Sequence, residues 1–134
     1  PTSTVAHSQG RLILVKNAGV SGNTAAQALA RYDTDIAPYA PRYVVWSCGT
    51  NDLGAGTTRD AYVATVEAFA TKTRQSGSVP IVLAVMPNDS AGRATTLGAW
   101  NEATRRRCAQ IGVLWLDPWR TIVNTATGGF ASGR

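Results

Sequence analysis

The run Ile81-Val82-Leu83-Ala84-Val85 is apolar at every position. A strand with one wet face alternates apolar and polar residues, and a strand covered on both faces does not. This run therefore predicts a parallel strand inside a sheet with helices on both sides. Strand signals recur at residues 11–16, 42–47, 79–85 and 112–116. Helical patterns lie between them. Residues 24–32 are Ala-rich, with Asn23 or Thr24 as N-cap. Residues 58–75 put Tyr62, Val66, Phe69 and Thr73 on one stripe, and Gly77 stops the helix. Residues 93–111 do the same with Leu97, Trp100, Thr104, Cys108 and Ile111. Residues 119–127, behind Pro118, predict a last short helix, and residues 127–134 a loop. The β-α alternation predicts an α/β fold of three layers, α/β/α, around a parallel sheet. Residues 1–134 carry no internal repeat, linker or low-complexity tract, and 134 residues fit one domain.

The net charge of +5 comes from eleven Arg and two Lys against eight acidic residues. Arg105-Arg106-Arg107 is the densest cluster. Trp100, Cys108 and Ile111 supply the opposite, buried face, so the cluster reads as the solvated side of a helix. No aromatic residues interleave with it, which argues against nucleic acid. No apolar run is long enough for a membrane span. Cys48 and Cys108 lack a C-x-x-C motif and stand in apolar settings, a pattern of buried thiols that leaves a disulfide open. One histidine and few carboxylates give no metal cluster, and no cofactor is expected. The chain begins at Pro1 without an initiator Met or a signal-peptide pattern. It is expected to be a processed or cut product, and its compartment stays open.

Two Gly/Asn-rich turns each close an apolar run. Asn17-Ala18-Gly19-Val20-Ser21-Gly22-Asn23-Thr24 follows Leu12-Ile13-Leu14-Val15, and Gly49-Thr50-Asn51-Asp52 follows Tyr43-Val44-Val45-Trp46-Ser47-Cys48. Turns past the ends of strands are where an open α/β sheet places its chemistry. Their residue types suit oxyanion binding: glycine lets backbone N–H approach a ligand, and an asparagine amide is a neutral donor. Neither turn holds a nucleophile–base pair. Taken singly, Gly22 also reads as a glycine leading into a helix, and Asn51-Asp52 as an Asx-turn.

Together the two turns resemble the second and third sequence blocks of the SGNH (GDSL-type) hydrolases. The likeness extends through Arg31 and residues 35–41, through 79–86 followed by Pro87, and to Trp100-Asn101-Glu102 and Leu116-Asp117. It implies a flavodoxin-like sheet and a serine-dependent hydrolase of acyl esters, with acetylated carbohydrate or small acyl esters as substrates. It also implies an oxyanion hole to which Gly22 contributes its N–H and Asn51 its side-chain amide, with Ser21, Asn23, Gly49 and Asp52 supporting the loops.

The pattern is incomplete. The family's Gly-Asp-Ser nucleophile block and Asp-x-x-His base block do not occur in this chain. Ser8 beside His7 is a poor pair, because neighbours on an extended segment point opposite ways. Ser21 and Ser47 lack a base, and Asp117 has no histidine three residues on. The expectation is a single incomplete SGNH-hydrolase domain, lacking its first, central strand and a C-terminal element, inactive alone and needing the missing segments of its own domain. Without that strand the sheet should show a gap between residues 11–16 and 42–47, or something must fill it. Two rivals stand beside this reading. One is a non-catalytic carbohydrate-binding or structural module on the same scaffold. The other is a nucleotide binder, disfavoured because no Gly-x-Gly-x-x-Gly or Walker loop follows a strand. Trp46, Trp115 and Trp119 read as packing residues rather than a sugar platform.

Overall fold

A computed structural model of the chain describes residues 2–8, 11–86 and 93–119. Its strands are β1 (Thr2–Ser8), β2 (Arg11–Asn17), β3 (Tyr43–Trp46), β4 (Val79–Leu83) and β5 (Leu114–Leu116). Its helices are α1 (Ala25–Ala30), α2 (Tyr32–Asp35), α3 (Thr50–Gly54), α4 (Arg59–Gln75) and α5 (Arg93–Ile111), with one 3₁₀ turn at Ala37–Tyr39. The class is α/β with a parallel sheet, as expected. Strands β3, β4 and β5 lie in that order and pair in parallel, with Val45 opposite Ile81 and Val82 opposite Trp115.

Two expectations change. The β-α alternation puts the strand at residues 11–16 in the parallel sheet, and no strand is expected before it. Instead β1 pairs antiparallel with β2, Thr2 opposite Asn17 through Ser8 opposite Arg11, in a separate two-stranded sheet. Among the described residues no strand lies beyond β3, so its outer edge is unpaired. The missing-neighbour expectation thus takes a definite form, with β2 finding its hydrogen bonds in β1. The second change is at 24–32, where one expected helix is two. Thr24 caps α1 with a full capping box, Gln27 returning its side chain to the Thr24 N–H. The chain then turns at Arg31 into α2.

The two long helices form as their stripes predict. Thr58 accepts from Ala61 N–H at the start of α4. Its end is a Schellman motif at Gly77, with Ser78 N–H bonded to Thr73 O. Helix α5 ends the same way at Gly112, with Val113 N–H on Cys108 O. Arg74 then donates to the carbonyls of Ile111 and Gly112, both at 2.8 Å, and ties the two helix ends together.

Tyr32, Tyr62, Val66, Phe69, Leu97, Trp100 and Cys108 bury against Val44, Trp46 and Val82 of the sheet. Trp46 packs on Phe69 at 4.6 Å between ring centroids, and Tyr62 stacks on Trp100 at 5.3 Å. This makes one helical layer on one face. On the opposite face Tyr43, Val45, Val79, Leu114 and Leu116 are each about half exposed, and no described helix covers them. Among the arginines, Arg105 and Arg106 pair with Glu102, while Arg107 reaches Glu67 on α4. Both cysteines are free. The helix expected at 119–127 and the loop at 127–134 lie outside the described residues, apart from Trp119, which sits in a turn.

Candidate functional site

Gly49 opens the second turn with φ +126°. A Cβ there would lie 2.6 Å from Val85 Cγ2 and 2.9 Å from Tyr62 Cε2. Only glycine fits both the conformation and the space. The Tyr62 hydroxyl donates to Cys48 O at 2.8 Å and fixes the residue before it. The chain continues into the single turn of α3, so Asn51 and Asp52 are helical and do not form the Asx-turn considered from sequence.

Asp52 points inward and is 1% exposed. Its carboxylate accepts from Ala25 N–H at 2.8 Å, the first residue of α1. Burial pushes its pKa above the usual carboxylate range, while the bonds from Ala25 and from the Thr57 hydroxyl oppose the shift. Asn51 points outward, and its Nδ2 donates to Asn23 O at 3.1 Å. The two turns are thus stapled twice, once through a buried carboxylate and once through an exposed amide.

Gly22 lies one residue before that carbonyl, at φ +83°, with Asn23 N–H closing the turn onto Val20 O at 3.2 Å. Among the described residues nothing accepts from Gly22 N–H. An amide nitrogen carries two protons and the Asn23 bond uses one, so Asn51 keeps a second donor held by the first. The structure therefore brings Gly22, Asn23, Asn51 and Asp52 together past the carboxyl ends of β2 and β3. Ser21 is exposed in the same turn, with no histidine beside it among the described residues. His7 and Ser8 fall on β1. Asp117 accepts from Trp119 N–H at 3.1 Å and so holds a local turn.

Cys48 stands next to Gly49. Burial, with Asp52 adding to it and Arg31 opposing, pushes its thiol up to about 11, so it stays protonated and is no nucleophile at neutral pH. Among the described residues no three His, Cys, Asp or Glu side chains converge as metal ligands.

Sequence reasoning missed three parts of this site. Arg31 reaches Asn23 and Ala18, the Asp52 carboxylate crosses to Ala25, and Asn101 brackets the backbone of Val85 with bonds of 2.7 and 3.2 Å. A polar residue in mid-helix reads from sequence as exposed or as a brace of the Asn51 loop. Asn101 braces Val85, whose side chain meets Gly49.

Comparison with known proteins gives a consistent picture. The sequence profile of the GDSL-like lipase/acylhydrolase family matches residues 3–132. A lipoprotein of Bacillus subtilis (strain 168), YqeF, of uncharacterised function, is 23% identical over 145 residues, covering 88% of this chain and 59% of its own. The structure of a lipolytic protein of the G-D-S-L family from Desulfitobacterium hafniense superposes with a TM-score of 0.72 at 20% identity, over 84% of this chain and 62% of that one. An acetylxylan esterase from Geobacillus stearothermophilus gives 0.68 at 21% identity, over 78% and 53%. The chain thus spans little more than half the length of these relatives.

Proposed function

Because the chain belongs to the GDSL-like lipase/acylhydrolase family, we propose that it supplies the oxyanion-binding part of a serine-dependent acyl-ester hydrolase. The observation that supports this reading is the bond from Asn51 Nδ2 to Asn23 O, which fixes an amide donor on the residue after Gly22, whose own N–H has no acceptor among the described residues. Attack on an ester carbonyl puts negative charge on its oxygen. Donors held before the reaction stabilise that charge without reorganising, and losing one costs about 10²–10³ in kcat. In this reading the chain is one incomplete SGNH domain. The nucleophile and its base come from the family's other blocks, as does the wall that shields the hole from water.

The substrate class rests on the family resemblance, with which the donors are compatible. Two N–H groups bind a carbonyl oxygen and place no demand on the alcohol side, which suits small acyl esters, acetylated carbohydrate among them. The acetylxylan esterase among the structural relatives is a precedent for the carbohydrate choice.

The test is p-nitrophenyl acetate hydrolysis. The 134-residue chain should match a buffer blank, because a protonated Cys48 and a base-less Ser21 provide no nucleophile. Extended through nucleophile and base blocks it should turn over, and Asn51→Ala should then lower kcat by about 10²-fold. Turnover by the short chain, abolished by a serine-directed phosphonate, would overturn the reading. So would an extended chain that binds acetylated xylo-oligosaccharide without hydrolysing ester, which would establish the non-catalytic module instead.

A further inference from the structure

The Gly22 turn has almost no packing to hold it. Gly22 is exposed, and a Cβ built there would meet nothing within 4 Å. Its geometry must come from hydrogen bonds, and beside those from Gly19 N–H to Asn17 Oδ1 and from Asn23 N–H to Val20 O, two come from one side chain. Arg31 Nε donates to Asn23 Oδ1 at 3.0 Å, and its Nη1 donates to Ala18 O at 3.1 Å. The same Nη1 pairs with the Asp35 carboxylate one helical turn on. The backbone of Arg31 is fixed as well, since its N–H caps α1 on Ala28 O and Leu29 O. One planar fork on a rigid helix junction thus grips both ends of the 18–23 loop. Asn23, held by that fork, presents the carbonyl that orients Asn51.

We infer that Arg31 is a positioning residue for both oxyanion donors, acting through Asn23 to fix the Gly22 N–H and the Asn51 amide in one geometry. This rests on the oxyanion reading above. Arg31 works as a shape rather than as a charge aimed at the anion, because Asp35 already answers its cation. Two separated acceptors need the rigid guanidinium fork, and a lysine ammonium is a point donor that cannot span them. Lysine at this position preserves charge and loses function.

Hydrogen–deuterium exchange of the 134-residue chain tests the inference and tolerates self-association. In Arg31→Lys and Arg31→Ala the peptide containing the Asn23 amide should exchange about tenfold faster, the scale expected for losing a charge-assisted hydrogen bond. Peptides from β4 should be unchanged, which separates loop release from unfolding. Asn23→Asp keeps an acceptor for the fork and should retain protection, whereas Asn23→Leu should lose it. In the extended hydrolase Arg31→Lys should lower kcat about tenfold at unchanged KM. Unchanged exchange at Asn23 in both Arg31 variants would overturn the inference. So would a loss of exchange protection that spreads equally to β4. If Arg31→Lys frees the turn while Asn51→Ala leaves kcat intact, the oxyanion reading fails and Arg31 is only a loop clamp. If Asn51→Ala is damaging and Arg31→Lys is silent, the oxyanion reading stands and the positioning role fails.

Discussion

Gly49 and Gly22 both have positive φ, but they do so for separable reasons. At Gly49 a methyl group has no room, lying 2.6 Å from Val85 Cγ2, so strain and overpacking add. Gly49→Ala should cost about 2–4 kcal/mol. At Gly22 there is room, and only the left-handed backbone opposes a side chain, so Gly22→Ala should cost about 1–2 kcal/mol. Urea unfolding followed by tryptophan fluorescence measures both, and equal losses would show that space at Gly49 does not matter. Asp52 offers a second test at this scale. Its native pKa is raised, so the folded state binds the proton more tightly than the unfolded chain does. Stability from this group is therefore present at low pH and falls as pH rises from about 4 through the native value. Glu67 and Glu102 act in the opposite sense. Their guanidinium partners lower the native pKa, for Glu102 to about 2. Their contribution is present above the ordinary glutamate range and fades as pH drops below it. The variant Asp52→Asn removes only the first effect. Its unfolding midpoint relative to wild type should rise as pH climbs above the ordinary aspartate value of about 4. A flat difference would mean that burial does not shift this carboxyl.

What the sequence revealed, element by element, tracks how local each element's support is. Helices α4 and α5 were legible because stripe, cap and glycine stop all lie within the segment. Strands β3, β4 and β5 were legible from continuous apolar runs, although β4 ends sooner than its apolar run. The reason is Asn101: its side chain takes both the N–H and the C=O of Val85, so the ladder cannot continue. Helices α2 and α3, of four and five residues, are too short to be stable alone. Helix α3 is held by the Asp52–Ala25 bond across 27 positions, which no local pattern shows. Strand β1 has only Val5 and Ala6 among Thr, Ser and His, too little for an apolar run; it exists by pairing with β2. The candidate site divides the same way. Gly22 and Asn51 were visible as residue types in turns, whereas Arg31 was not, because its role lies in bonds to residues 8 and 13 positions back. Asn101→Ala, which strands two backbone groups of a buried residue, should destabilise by about 1–3 kcal/mol per unmet group. It should also loosen the Gly49 turn. Exchange at the Val85 amide reads this directly, and unchanged protection there would show that the Asn101 bond is not what shields it.

For the whole molecule, the decisive feature is the side of the parallel sheet that no described helix covers. Tyr43, Val45, Val79, Leu114 and Leu116 are 45–57% exposed, and the outer edge of β3 offers unpaired backbone groups among the described residues. Ile13, Leu14 and Val15 of β2 are exposed as well. Parallel sheets are otherwise found covered on both faces, and open apolar edges are adhesive. Each aliphatic side chain left wet forgoes about 1–3 kcal/mol, against a net domain stability of about 5–15 kcal/mol. We therefore expect residues 1–134, expressed alone, to elute above the monomer mass and to unfold over a broad range. Charge placed on the bare face separates the two causes. Val45→Lys with Leu114→Lys should abolish association through that face without touching the core side of the sheet, which Val44, Trp46 and Val82 occupy. The monomer so obtained should still unfold with low cooperativity, because lysines stop adhesion but do not replace the missing packing. A wild-type monomer with a sharp transition would show that two layers and an open β3 edge suffice for this chain. The need for complementing segments would then fall, and the non-catalytic module would become the better account of the domain.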